Sequence, residues 1–327
     1  MPLRWPAVLL LLALGPTSPP PGASSTDDRS SVLSVICAFV RVSNSQYGLP
    51  KTELEAYPIA VARQGLFEPA IVYPESEPEK VSPLQLGSSV HIYKNGKRIG
   101  KLQVERFEPR PYFAVQVLVG MGQWSLPSSY YPTKFDASVK AETLKDSIYT
   151  WSDWSTQSEG PVTYSLLPLL AFDRELPSRD ARAVLSPERT RIAKDALWGQ
   201  ARQLAAAAGY RQRLREMKLE DFRSFDLNAD GIPEVVGSFY LPPPPKQDPW
   251  EGHSVLVVLS LSSTPKRLFG QVAQGVGWWA FEAIDTDNDG WCELFLTGRG
   301  YEFFGFSILK TDGKTTSKVF EGADFGG

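Results

Sequence analysis

"IDTDNDGWCELFLTG", residues Ile284 to Gly298, sets Asp285, Asp287, Asp289 and Glu293 close together and then turns apolar. Carboxylates at this spacing repel one another unless something positive lies among them. An earlier stretch, "FDLNADGIPEVVGSF", repeats the pattern with Asp226, Asn228, Asp230, Gly231 and Glu234 in register with Asp285, Asp287, Asp289, Gly290 and Glu293. Each loop follows an apolar residue, Phe225 or Ile284, and precedes Val- or Leu-rich sequence. At ordinary residue frequencies one match to D-x-[DN]-x-D-G-x-x-E in a chain of this length is roughly a one-in-a-thousand event. Two in register are not accidental.

The ligand chemistry is that of a hard cation. Ca2+ takes about six to eight oxygens at about 2.3–2.6 Å. A loop wound round it points side chains 1, 3 and 5 inward, and glycine at position 6 permits the sharp turn. The carbonyl of position 7, Ile232 or Trp291, completes the turn's contribution, and position 9, Glu234 or Glu293, closes the shell. Mg2+ prefers its own waters, and zinc would need clustered His or Cys. Position 12 is Gly237 or Leu296 with strand-like sequence after it, so neither loop is an EF-hand. Four acids in the second loop against three in the first predict tighter binding at the second.

Each loop opens a longer unit. "HSVLVVLSLSSTPKRLFG" follows the first and "YEFFGFSILKTDGKTTSKVFEG" the second, and each reads as strand, turn, strand, with Asp312-Gly313 marking a hairpin. A Pro-rich insertion, "LPPPPKQDPWEG", interrupts the first copy. A unit is therefore an acidic loop plus about three strands, a period suited to blades and β-arrays. With Phe269-Gly270 ahead of the second loop, residues 219–327 resemble the FG-GAP/VCBS-type calcium-binding repeats of integrin α-chains and exported bacterial proteins. The resemblance implies two Ca2+ sites. Their ligands would be Asp226, Asn228, Asp230, the Ile232 carbonyl and Glu234, and Asp285, Asp287, Asp289, the Trp291 carbonyl and Glu293. Two units are too few to close a propeller ring, so an open sheet or sandwich is the expected alternative.

The remaining chain supplies context. It has 327 residues, 42% hydrophobic and 22% charged, enough for a packed core. Net charge is −3 with scattered Lys and Arg, which speaks against nucleic acid as a partner. Arg4 followed by the apolar run Ala7–Leu14 and small residues reads as a signal peptide over 1–24, with a flexible linker over 25–31. No later run is long enough for a transmembrane segment, so the expected location is secreted or periplasmic. Cys37 and Cys292 could pair after export or remain buried thiols.

Residues 32–122 read as an antiparallel β module. Its signals are "SVLSVICAFVRVS", a hairpin turning at Asn95-Gly96, and a strand from Tyr112 to Val119. Residues 123–218 read as a mixed segment with one helix at about 187–208, capped by Ser186, with Pro187 in its first turn and Gly209 at its end. The fold class is thus mainly β (α+β): an N-terminal antiparallel module, a central helix and a C-terminal two-unit repeat.

Catalytic signatures are weak. His91 and His253, the two histidines, have no triad context. "GVGWWA" runs into an acidic loop where a dinucleotide site needs a helix, and "DGKTTS" lacks the upstream glycine of a phosphate loop. The expected function is therefore an exported, non-catalytic binding or adhesion-type module at the cell envelope, with an unknown protein or polysaccharide ligand. Two alternatives stand beside it. One is a polysaccharide-handling enzyme or accessory using Trp151, Trp154, Trp278 and Trp279; the other is an envelope scaffold with purely structural calcium.

Overall fold

Backbone periodicity and turn chemistry place the elements, and cross-strand pairing assembles them. The computed structural model describes residues 34–44, 52–63, 66–70, 73–74, 84–112, 115–125, 149–153, 162–244, 247, 252–275, 277–299 and 303–326. The expected leader and linker, Trp154 and half of the Pro-rich insertion lie outside the described residues. The described elements all belong to one unit, Val32–Gly327.

Nine strands form the N-terminal part: β1 Ser34–Asn44, β2 Thr52–Arg63, β3 Leu66–Pro69, β4 Tyr73–Pro74, β5 Ser89–Lys94, β6 Lys97–Tyr112, β7 Val115–Ser125, β8 Tyr149–Asp153 and β9 Val162–Phe172. Six of them close a barrel in the order β1-β2-β7-β6-β5-β9, every pair antiparallel, with closure at Ala56 opposite Gly120. Val35, Cys37, Val90, Ile92, Leu102 and Ala171 come from around this ring yet share one core, which places them inside it. The alternate residues Ile36, Leu170 and Phe172 face outward into a different core. Over Val35, Ile36 and Cys37 both faces of β1 are therefore buried, which accounts for consecutive apolar residues there.

Two details differ from the sequence expectation. The strand expected from Tyr112 to Val119 is β7, which begins at Val115 and continues through Gly120 and Gly122 to Ser125. A Cβ at Gly122 would lie 1.9 Å from the Gln103 carbonyl oxygen, so glycine permits the β6–β7 bulge instead of ending the strand. The barrel also takes β9 from beyond residue 122. Pro168 sits where the β1–β9 register shifts, and a bulge tolerates a residue that cannot donate to the ladder.

The C-terminal third forms two four-stranded antiparallel meanders. The first is β10 Lys218–Phe225, β11 Glu234–Leu241, β12 His253–Ser260 and β13 Lys266–Gln274. The second is β14 Gly277–Ile284, β15 Glu293–Arg299, β16 Phe303–Thr311 and β17 Thr316–Gly326. The acidic loops thus connect the first two strands of each sheet, and a unit contains one more strand than the loop-plus-three expectation.

Helix α1, Pro187–Ala207, lies where the sequence places it. The Ser186 hydroxyl accepts the Arg189 N–H at 3.2 Å, and Gly209 ends the helix at φ +96°. Ala193, Leu197, Ala201 and Ala205 make a narrow buried stripe against Val235, Phe239, Val255 and Val257 of the first sheet. Close approach is possible because Gly237 and Gly270 lack side chains. A Cβ there would meet Leu197 at 3.1 Å and Leu204 at 2.6 Å.

The parts stack in layers. The first sheet's other face, with Val236, Leu256 and Val258, packs on Trp278, Leu294 and Leu296 of the second sheet. The second sheet's far face, with Phe281, Phe295, Phe306 and Ile308, packs on the barrel's outer wall at Ile36, Tyr57 and Phe172. The order is helix, first sheet, second sheet, barrel. Two blades leave two apolar outer faces, and here a helix and a barrel bury them in place of further blades.

Candidate metal centre

Both acidic loops adopt one backbone course. Ala229 and Asn288, at position 4, have φ of 60° and 62°, and Gly231 and Gly290, at position 6, have φ of 79° and 91°. These left-handed turns curl the loop so that its acids accept its own amide hydrogens. Asp226 Oδ2 accepts the Gly231 N–H at 3.2 Å, and Asp285 Oδ2 accepts that of Gly290 at 3.0 Å. Asp230 Oδ1 accepts the Ile232 N–H at 2.6 Å, and Asp289 Oδ1 accepts that of Trp291 at 2.8 Å. Asn228 accepts the Asp230 N–H through Oδ1 at 3.2 Å and donates through Nδ2 to Asp230 Oδ2 at 2.8 Å.

The ninth-position glutamates lie beneath the loops. Glu234 is 3% exposed and Glu293 is fully buried. Each uses one oxygen to hold the loop's second residue: Glu234 Oε2 accepts the Leu227 N–H at 3.1 Å, and Glu293 Oε2 accepts the Thr286 N–H at 2.8 Å and hydroxyl at 2.7 Å. Burial pushes both carboxyls up to about 7, partly offset by those bonds and reinforced by nearby Asp230 and Asp287. Glu293 Oε1 accepts no hydrogen bond, and neither do the buried Asp226 Oδ1 and Asp287 Oδ1. An unsatisfied buried carboxylate oxygen is costly without a cation.

The predicted acids converge in the second loop but form no such group in the first. In the second loop, oxygens of Asp285, Asp287 and Asp289 lie within 4.8 Å of one another, the one such acidic group among the described residues. Ile232 keeps its side chain exposed at the end of the first loop, while the Trp291 ring packs over the Gly313 turn. The donor set suits a hard cation, being all oxygen.

Three features escaped the sequence reading. The first is Lys310 on β16. Its ammonium donates to Asp287, lies 2.9 Å from Asp289 Oδ2 and is 3.3 Å from Glu293 Oε1. Burial would lower its pKa, but the hydrogen bonds to Asp287 and Asp289 outweigh this and raise it, keeping it charged. The equivalent register position in the first sheet is Ser260, opposite Glu234, whose carboxylate it hydrogen-bonds. Aligning the two units strand by strand would have exposed this difference.

The second is the segment from Arg174 to Ala183, which ties both loops together. Arg179 donates through Nη2 to the Leu227 carbonyl at 2.6 Å and through Nη1 to that of Gly290 at 3.3 Å. Arg174 Nη2 donates to the Thr286 carbonyl at 2.8 Å, and the Cys292 N–H donates to the Leu227 carbonyl at 2.7 Å. The third is Glu282 on β14, fully buried, whose carboxylate accepts the Asn95 N–H at 2.6 Å and that of Gly96 at 2.8 Å. The barrel hairpin tip is so close that a Cβ on Gly96 would lie 2.0 Å from the Arg179 carbonyl oxygen. Barrel tip, connecting segment and both acidic loops therefore meet at one junction.

Comparison with protein-family models, with curated proteins and with solved structures finds no match for this chain.

Proposed function

We propose that this chain is an exported, non-catalytic calcium-binding β-repeat protein of FG-GAP/VCBS type, acting as a binding or adhesion-type module at the cell envelope. Calcium would bind the acidic loops and lock the junction through which the sheets hold the barrel. The observation that carries this reading is Asp226 Oδ1, buried without a hydrogen bond in a first loop that holds the buried Glu234 and shares its backbone course with the second.

Groups that a hydrolase could use are committed elsewhere. His253 Nε2 is 2.6 Å from the Tyr210 hydroxyl, with the rings tilted together at 4.3 Å. Cys37 and Cys292 are free, buried thiols; burial pushes Cys37 well up and Cys292 up to about 11. Trp278, a candidate sugar platform, is 5% exposed between the two sheets.

Thermal melts of the full chain in excess Ca2+ and in chelator test the calcium reading. At free calcium a hundredfold above Kd, about 2.7 kcal/mol of stabilisation per occupied site is expected, with Mg2+ much less effective. Coincident melts would contradict it. Capture of an envelope protein or polysaccharide only with calcium tests the adhesion role; failure to retain either class would remove that role while leaving the metal sites standing.

A further inference from the structure

The two loops differ most at the cross-strand position beside their buried glutamates. In the first sheet that position is Ser260, paired with Glu234. In the second it is Lys310, one step beyond the Leu294–Leu309 pair and so opposite Glu293. The Lys310 ammonium sits among the oxygens that a cation would use, bonded to Asp287, 2.9 Å from Asp289 and 3.3 Å from Glu293. The second loop's extra acid, Asp287 in place of Asn228, is the one of three acids that Lys310 approaches most closely. Four carboxylates with one ammonium leave the same net charge as the first loop's three carboxylates alone.

We propose that Lys310 is a built-in counter-cation that substitutes for calcium at the second loop, so that the chain takes up Ca2+ at the first loop and holds the second closed without it. This rests on the calcium reading above and reverses the affinity order expected from counting acids. A calcium ion needs oxygens at about 2.3–2.6 Å, and an ammonium already bonded to those oxygens excludes it by volume and by charge. Binding at the second loop therefore requires Lys310 to leave, breaking charge-assisted hydrogen bonds that together amount to about a ten- to hundredfold loss of affinity. Ser260 imposes no such competition. It contributes a neutral hydroxyl to Glu234, and the first loop's acids have no ammonium at that position.

Calorimetric titration of the full chain with CaCl2, on wild type, Lys310→Ser and Ser260→Lys, tests this. Wild type should show one tight site and a second at least about tenfold weaker. Lys310→Ser should tighten the second site by about ten- to a hundredfold, and its melting point should fall in chelator and recover in calcium. Ser260→Lys should lose the tight site and with it most of the calcium-dependent rise in melting point. Should Lys310→Ser fail to fold in chelator, the Ser260→Lys protein, altered only in the other sheet, still decides the matter. Two wild-type sites of equal affinity, or a second site unchanged by Lys310→Ser, would overturn the proposal alone. Absence of calcium binding in all three proteins would overturn the calcium reading and this proposal together.

Discussion

The two four-stranded sheets share strand order, loop backbone and acid spacing, yet they sit in different company. The first is backed by helix α1 through small residues, with Gly237 and Gly270 giving room to Leu197 and Leu204. The second is backed by the barrel through aromatic rings: Phe295 meets the barrel's Phe172 edge-on at 6.3 Å, beside the sheet's own Phe281–Phe306 pair at 6.0 Å. The second sheet also carries Lys310 among its acids and Glu282 under the barrel hairpin, and among the described residues the first shows no counterpart of either bond. The two similar sheets therefore differ in what closes their ends. One is a helix-supported sheet with Ser260 opposite its buried glutamate, and the other is a wedge between that sheet and the barrel with Lys310 among its acids.

Phe295→Ala probes the wedge most severely. It removes a fully buried ring from the sheet–barrel core and should cost about 3–5 kcal/mol, measured by denaturant unfolding. Leu197→Ala on the helix side should cost about 2–5 kcal/mol. Local melting of the helix on Leu197→Ala, without loss of the barrel, would show that the two supports are energetically separate.

Glu282 gives a pH handle specific to the second sheet. Burial pushes its carboxyl up to about 7, against three backbone N–H bonds and Lys94, which lower it. A carboxyl whose pKa rises on folding holds its proton more tightly in the folded state. Its contribution is full below about pH 4.5 and is lost as pH rises through about 7, an effect of about 3 kcal/mol. In saturating calcium, where loop glutamates are held ionised by the metal, stability should still fall over this window, and Glu282→Gln should flatten the slope. A slope unchanged by Glu282→Gln would place its origin elsewhere. The smallest effect is expected at the helix cap: Ser186→Ala should cost about 1 kcal/mol in thermal melts and leave calcium affinity untouched.

What the sequence made legible was local chemistry. Asn95-Gly96 specifies its hairpin because both residues tolerate positive φ. Ser186-Pro187 specifies a helix start, and the acid spacing specifies two loops on a common course. The pairings between distant segments stayed hidden. Ala56 gives no local sign that it will meet Gly120 and close a barrel. Pro168 disguises β9 as a poor strand, because only the partner strand reveals the bulge that accommodates it. Strands β10 and β14 precede their acidic loops and become part of the unit only through pairing with β11 and β15. Lys310 is far from Glu293 in sequence, and its meaning appears only once the β15–β16 register is fixed. The expected layering met the same limit, since two open sheets need outside cover and the sequence does not say which segments provide it.

Anomalous diffraction from crystals of the full chain grown in calcium would test the central claim most directly. The account expects a peak about 2.3–2.6 Å from oxygens of Asp226, Asn228, Asp230 and Glu234, and a weaker peak or none beside an undisplaced Lys310. No peak at either loop, with those oxygens turned outward to solvent, would contradict it.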